Sequence, residues 1–196
     1  MTLLEQIRNR RSIRKYLPTP VEKEKLLKIQ EAGLFAPSGN GLQSAKIVML
    51  DDPKLIQRIG IVNASVQQRK AGDGHVSKDQ PSILDDMSIR SGFYHCPALA
   101  IVTIPKELKT MVNAIGDAFC CAENMILEAY DLGVSSCIVG RGEATFSQPS
   151  MQELLKEWGM EGELPIVFVC FGYINGNYPA IKQRKEGRAI YIEEKL

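Results

Sequence analysis

Residues 8–15, Arg-Asn-Arg-Arg-Ser-Ile-Arg-Lys, hold five cations and no acid. Arg10 and Arg11 beside Ser12 offer planar guanidinium forks and a hydroxyl, a donor set suited to a phosphate, and charge-assisted bonds of this kind are about twice as strong as neutral ones. A solvated helix end would have the same composition, so an anion site and a plain polar face both stay open. A second basic cluster, Lys182, Arg184, Lys185 and Arg188, is offset only by Glu186. Tyr16 is the one aromatic beside the first patch, which weighs against a base-stacking groove for nucleic acid. The Gly-rich stretch Pro37-Ser-Gly-Asn-Gly-Leu-Gln43 allows close backbone approach to a planar or anionic ligand, or simply a tight turn.

What is missing narrows the chemistry further. His75 and His95 are the only histidines, and neither stands at a metal-ligand or triad spacing. The sequence has no Gly-x-Ser-x-Gly, Walker or Rossmann fingerprint. Acyl transfer, P-loop phosphoryl transfer and metal-assisted hydrolysis all lose weight, and no metal is expected. The cysteines, Cys96, Cys120, Cys121, Cys137 and Cys170, form an odd set without metal spacing, which favours a reducing, cytoplasmic compartment. Cys120-Cys121 falls in an apolar helix, where thiols behave as small hydrophobes. Cys137, after Ser135-Ser136, is more ambiguous.

The elements that must position these residues are legible from capping and periodicity. Thr2-Leu-Leu-Glu5 and Thr19-Pro-Val-Glu22 both fit the capping box and should open helices, the first running to about Asn9. The second places Pro20 in its first turn, puts Leu26, Ile29, Gly33 and Ala36 on one face, and stops before Pro37. Ala45–Leu50, Pro97–Ile104 and Ile166–Phe171 read as strands, the second and third buried on both faces, and Val134–Gly140 is a short apolar stretch with two serines. Asp52-Pro53 predicts a short helix over Lys54–Ile59, and Pro149–Trp158 another. The longest helix runs from about Met111 to Leu132, with Ile115, Ala118, Ala122, Met125 and Ala129 on its inner face and Gly133 closing it. Its small residues suit a central or dimer-interface helix. Arg188–Ile192 reads as an edge strand or an arm. The polar stretch from about Val66 to Ser88 is a long excursion or lid, and long loops in compact domains tend to carry function.

A chain of 196 residues, 44% hydrophobic and 24% charged, with 24 Lys+Arg against 23 Asp+Glu, is globular and close to neutral. That balance argues against a general nucleic-acid surface. The N-terminus lacks a signal-like apolar run, and Leu164–Ile181, the longest uncharged run, is broken by Pro165, Gly172, Gly176 and Pro179, so no membrane span is expected. Helices and strands interleave without a βαβ repeat, which predicts an α+β fold in a single domain, residues 1–196.

Taken in order, several segments resemble one family. They are Arg10-Arg11-Ser12-Ile13-Arg14, Ala36-Pro37-Ser38 with Gln43, Ser91-Gly-Phe-Tyr-His-Cys-Pro-Ala98, Gly133-x-Ser-Ser-Cys137-Ile-Val-Gly140-Arg141, the Leu-Leu-Lys-Glu-Trp-Gly run at 154–159, and Tyr178-Pro-x-x-Lys182-x-Arg184-Lys185. Together they look like the FMN-dependent nitroreductase family over essentially the whole chain. The resemblance implies a nitroreductase-like mixed sheet flanked by helices, in an intertwined homodimer with FMN at the subunit interface. It further implies that Arg10, Arg11, Lys182 and Arg184 hold the FMN phosphate, while Ser12 and Arg14 reach the ribityl chain and the pyrimidine edge. Pro37, Ser38, Gly39 and Asn40 would come from the second subunit, with Gln43 also at the cofactor. Ile138, Val139 and Gly140 would lie against the ring with backbone N–H groups toward N5, and Asn63 corresponds to an Asn facing the ring. The loop departs from the family pattern at Gly41 and at Ser44-Ala45, where the family has Asn and Pro-Trp.

The expected reaction is ping-pong hydride transfer from NADH or NADPH through flavin N5 to a small-molecule acceptor such as a nitroaromatic or quinone. It needs no catalytic side chain, because the cofactor performs the organic chemistry. Two alternatives stand beside it. One is a specialised FMN enzyme of the same superfamily with its own substrate or a protein donor such as ferredoxin. The other is a phosphate- or RNA-binding module built on residues 8–15, which would bind nucleic acid in a salt-sensitive manner.

Overall fold

The computed structural model describes residues 1–67, 79–83 and 85–193. Four strands, β1 (Lys46–Leu50), β2 (Ala98–Pro105), β3 (Ser135–Val139) and β4 (Glu163–Gly172), form one sheet in the order β1-β2-β4-β3. Every pairing between these strands is antiparallel. The expected mixed sheet is thus corrected to an antiparallel one. Among the described residues, the one parallel contact is an isolated bridge between Ser12 and Ser136, where the segment after the first helix lies along β3.

Alternate residues of the central strands serve two separate cores. Ala98, Ala100, Val102 and Ile104 of β2, with Val167, Val169 and Phe171 of β4, pack against α2 (Lys23–Leu34) and α4 (Met111–Asp131). Leu99, Ile101, Phe168 and Cys170 face the other way, toward Ile56 and Ile59 of α3 (Pro53–Ser65), Phe146 of α5 (Gly142–Phe146) and Leu154 and Leu155 of α6 (Pro149–Glu157). Covering both faces explains why β2 and β4 read as unbroken apolar runs even though the sheet is antiparallel. Pro165 lies inside β4, opposite a register shift between Val102 and Thr103. A residue without an N–H is tolerated in a strand at such an irregularity.

Helix α1 (Leu3–Asn9) forms with the expected reciprocal capping of Thr2 and Glu5. The second capping box does not form, and α2 starts at Lys23, with Glu22 as its N-cap and Pro20 outside the helix. The Glu22 carboxylate instead accepts the Tyr173 hydroxyl and lies 3.4 Å from Lys25. Helix α3 extends beyond the expected Ile59 because Gly60 and Asn63 prolong the buried stripe begun by Ile56 and Ile59. On α4 the stripe is Ala114, Ala118, Cys121, Ala122, Met125 and Ala129. Ile115 is turned outward, one residue out of phase with it. Residues 188–192 form no strand and remain exposed. Most of the expected 66–88 excursion, including His75, lies outside the described residues. No helix among the described residues is long and apolar enough to cross a membrane.

Candidate functional site

After α1 the chain runs extended along the end of the sheet. The Ile13 N–H donates to Ser136 O (2.9 Å), Leu17 N–H to Tyr173 O (2.8 Å), and Asn175 N–H to Lys15 O (2.9 Å). Ile13 and Tyr16 are buried in the core beneath, which fixes the register of the basic residues between them. Gly172 is required at this crossing, since a Cβ there would stand 2.7 Å from both the Tyr16 ring and Pro97.

The two leading arginines are held differently. Arg11 is bound to main-chain oxygens, with Nη1 on Arg8 O (2.8 Å) and Arg10 O (2.5 Å) and Nε on Ala180 O (3.2 Å). Its own N–H donates to the Tyr178 hydroxyl (3.0 Å). These bonds draw the C-terminal segment back onto the N-terminal one, and Lys182 and Arg184 follow directly on the exposed continuation of that chain. Arg10 has one carboxylate partner, Glu123 at 3.8 Å. Arg10 Nε and Arg11 Nη2 are buried without a hydrogen-bond partner among the described residues. Two orphaned guanidinium donors in a cation-rich corner make a strong anion-accepting position, because a buried donor left unpaired costs about 1–3 kcal/mol.

The Cys137 thiol donates to Ile138 O (3.5 Å). Burial pushes that thiol above its ordinary pKa, so Cys137 serves as a small hydrophobe rather than as a nucleophile. The Arg14 guanidinium lies over the Tyr94 ring, 5.9 Å from its centroid. Burial opposes its charge, but Cys137 and Tyr94 more than offset that and keep its pKa above the ordinary value. The backbone around it is fixed by Gln80, whose Oε1 accepts from Arg14 N–H (2.6 Å) and Lys15 N–H (2.8 Å).

Ile138 and Val139 close β3 and Gly140 follows it, at the end of the strand away from Ser135. Val139 is buried, Ile138 half-buried and Gly140 exposed, with nothing within 4 Å of where a Gly140 Cβ would stand. A flat ligand could approach the main chain closely there. Asn63 is wholly buried beneath this corner, with Nδ2 donating to Gly140 O (3.1 Å) and Thr145 Oγ1 (2.9 Å). Its Oδ1 accepts from Arg141 Nη2 (2.6 Å), and its main-chain oxygen accepts from Arg141 Nε (3.2 Å).

The 37–43 loop is set by its own chain. Gly39 N–H donates to both carboxylate oxygens of Asp117 (3.0 and 3.1 Å), and Gln43 N–H to Ser38 Oγ (3.0 Å). Asn40 and Gln43 adopt positive φ values of 55° and 48°. Pro37, Ser38 and Gln43 border a hollow of about 210 Å³ against Asp117 and Cys121 of α4. No hydrogen bond among the described residues joins this loop to residues 10–14 or 138–140. A larger, shallow trough of about 700 Å³ beside Pro53, Gln57 and Ile61 on α3 contains none of the candidate cofactor-site residues.

Sequence reasoning did not single out Gln80, Asp117, Tyr94 or Thr145 for the site. Each acts through at least one contact far along the chain, which no local pattern announces. Tyr178 and Arg141 were visible as motif positions, but not for the bonds they make. No group of three or more His, Cys, Asp or Glu among the described residues is arranged to hold a metal ion.

Comparison with known proteins covers the same region. A model described as the nitroreductase family matches residues 7–173. Among curated proteins, none matches in sequence. The chain is similar to a nitroreductase with bound FMN from Desulfitobacterium hafniense DCB-2, with TM-score 0.80, 25% identity and coverage of 98% of this chain and 100% of that one. A nitroreductase with bound FMN from Bacteroides fragilis NCTC 9343 gives TM-score 0.79, 25% identity and the same coverage, 98% and 100%. An FMN-dependent nitroreductase from Clostridium difficile R20291 shares the fold at TM-score 0.69 and 23% identity, covering 96% of this chain and 98% of that one.

Proposed function

Since this chain belongs to the nitroreductase family, we propose that it is an FMN-dependent oxidoreductase that takes hydride from NADH or NADPH and passes it to a small acceptor such as a nitroaromatic or quinone. The observation that carries this reading is the pair of orphaned donors, Arg10 Nε and Arg11 Nη2, beside the returning C-terminal chain. A phosphate at that corner would satisfy both. In this reading Arg10, Arg11, Lys182 and Arg184 hold the phosphate, and Ser12 and Arg14 take the ribityl chain and pyrimidine edge. The bare main chain at Ile138, Val139 and Gly140 receives the ring.

FMN, when bound, supplies reversible hydride acceptance at N5. Arg14, held in place by Tyr94 and Gln80, offers a fixed positive charge to the edge that becomes negative on reduction, and charge placed in advance requires no reorganisation during reaction. No side-chain acid, base or nucleophile is needed. With the nucleotide leaving before the acceptor enters, the kinetics would be ping-pong.

We read residues 1–196 as one domain of a homodimer in which Pro37, Ser38, Gly39, Asn40 and Gln43 complete the neighbouring protomer's site. Support comes from the outer face of α4, where Val112, Ile115 and Phe119 are exposed, together with Phe35 and Leu42 flanking the loop that Asp117 binds to the same helix. A surface with this many uncovered large apolar side chains marks an association site.

The test is the absorbance spectrum of the purified protein, before and after anaerobic NADH or NADPH. Yellow protein that bleaches is expected, and the double variant Arg10→Ala, Arg184→Ala should emerge colourless. Wild-type protein that is colourless and does not take up added FMN would end this reading. Flavin that is bound but bleached by neither nucleotide would move the donor to a protein such as ferredoxin.

A further inference from the structure

The Asn63 amide is fully committed inside the protein. We propose that Asn63 is a positioning residue that fixes which way the Gly140–Arg141 peptide faces, and through it the backbone donor edge that the flavin ring meets. The inference rests on the reading that FMN lies against residues 138–140. It assigns Asn63 a task other than touching the ring.

Three observations converge on this corner. Asn63 Nδ2 holds the Gly140 carbonyl from inside (3.1 Å), and the peptide is trans, so its N–H edge is turned away from Asn63, on the side where Gly140 is exposed. The next carbonyl, Arg141 O, is also held inward, by Thr145 N–H (2.9 Å) and Thr145 Oγ1 (2.6 Å), and Thr145 Oγ1 itself accepts from Asn63 Nδ2. Arg141 is kept at φ 70°, a left-handed conformation unfavourable for a non-glycine residue, and its side chain returns two bonds to Asn63.

The surroundings leave no slack. Gly92 packs on the Asn63 amide so closely that a Cβ there would overlap it. Gly142 passes Pro165 O at a distance that would leave 2.5 Å to a Cβ. An asparagine supplies both the donor for two inward oxygens and the acceptor for Arg141. An aspartate of the same shape keeps only the acceptor. Without the donor, the Gly140 carbonyl would face a carboxylate oxygen in place of an N–H, and the peptide gains by rotating its oxygen toward the flavin side.

The experiment compares wild type with Asn63→Asp, and with Thr145→Val as a second variant should the first fold poorly. In wild type, adding FMN to apoprotein labelled with nitrogen-15 should displace the Gly140 and Arg141 amide resonances. Asn63→Asp should retain FMN, because the phosphate corner is untouched, yet lose that displacement and reduce its flavin with NADH on the order of tenfold more slowly. Thr145→Val should move both readouts in the same direction by less. If either folded variant keeps the wild-type displacement and the wild-type rate while only its thermal midpoint falls, Asn63 is merely structural and the proposal is overturned. Failure of the underlying reading looks different: wild type itself would not bind FMN, or its Gly140 and Arg141 amides would not respond.

Discussion

Tyr94 sits beneath the Arg14 guanidinium, and burial pushes its phenol from the ordinary 10.0 up to about 12, with Arg14 only partly opposing the shift. The folded protein therefore keeps this proton over a range in which the unfolded chain has lost it. The resulting stabilisation is complete below pH 10 and is lost as pH rises toward 12. Tyr94→Phe should make the alkaline fall in stability shallower, as followed by urea midpoints between pH 8 and 11.5. An unchanged slope would mean that the phenol does not titrate in this setting. At this scale the sequence revealed residue types well and partners poorly. Arg10 and Arg11 looked equivalent, yet one is bound to main-chain oxygens and the other retains an orphaned Nε beside a single carboxylate. Asn63 was singled out only through the family resemblance, and its three side-chain contacts lie 77 to 82 residues away and could not be read locally.

Among the elements, those whose stability is decided within a turn or two were the legible ones: α1 from its capping box, α4 from its small-residue stripe, and the two doubly buried strands. Those whose limits depend on a distant partner were not. The start of α2 is displaced because Tyr173 and Lys25 take the Glu22 carboxylate. Helix α5 was not foreseen, since its start is imposed by the Arg141 turn and the passage of Gly142 over β4. There the nearest atoms to a Cβ would be Pro165 O (2.5 Å) and Ile166 C (2.6 Å), both backbone, so neither can swing aside. Gly142→Ala should destabilise by about 2 kcal/mol, within the usual cost of overpacking. The loss should appear as a lower urea midpoint at unchanged m-value, and a midpoint equal to wild type would refute this close approach.

At the scale of the whole molecule, the near-neutral composition conceals a marked partition. Cations collect at one corner, and large apolar side chains are left uncovered on α4 and in the terminal segment, where Val112 is 83% and Tyr191 87% exposed. A homodimer would bury the α4 face, and stable interfaces of that kind remove roughly 800 Å² per partner. Phe119→Glu should therefore halve the mass seen by sedimentation to the 21.8 kDa of one chain and release flavin at the same time. Retention of FMN by such a monomer would show that loop 37–43 is not needed in trans.

The sequence by itself determined most of the helices, the two doubly buried strands and the cationic character of residues 8–15, because periodicity, capping and charge are properties of neighbours along the chain. Only the tertiary structure decided that the sheet is antiparallel and that Tyr178 and Ala180 return to Arg11. It alone showed that Gln80 holds the backbone of Arg14 and that Asn63 faces inward to hold Gly140. Each of these is a bond between residues far apart in the chain. Such a bond forms because burial would otherwise leave a polar group unpaired, and that cost exists only once the fold has removed the water.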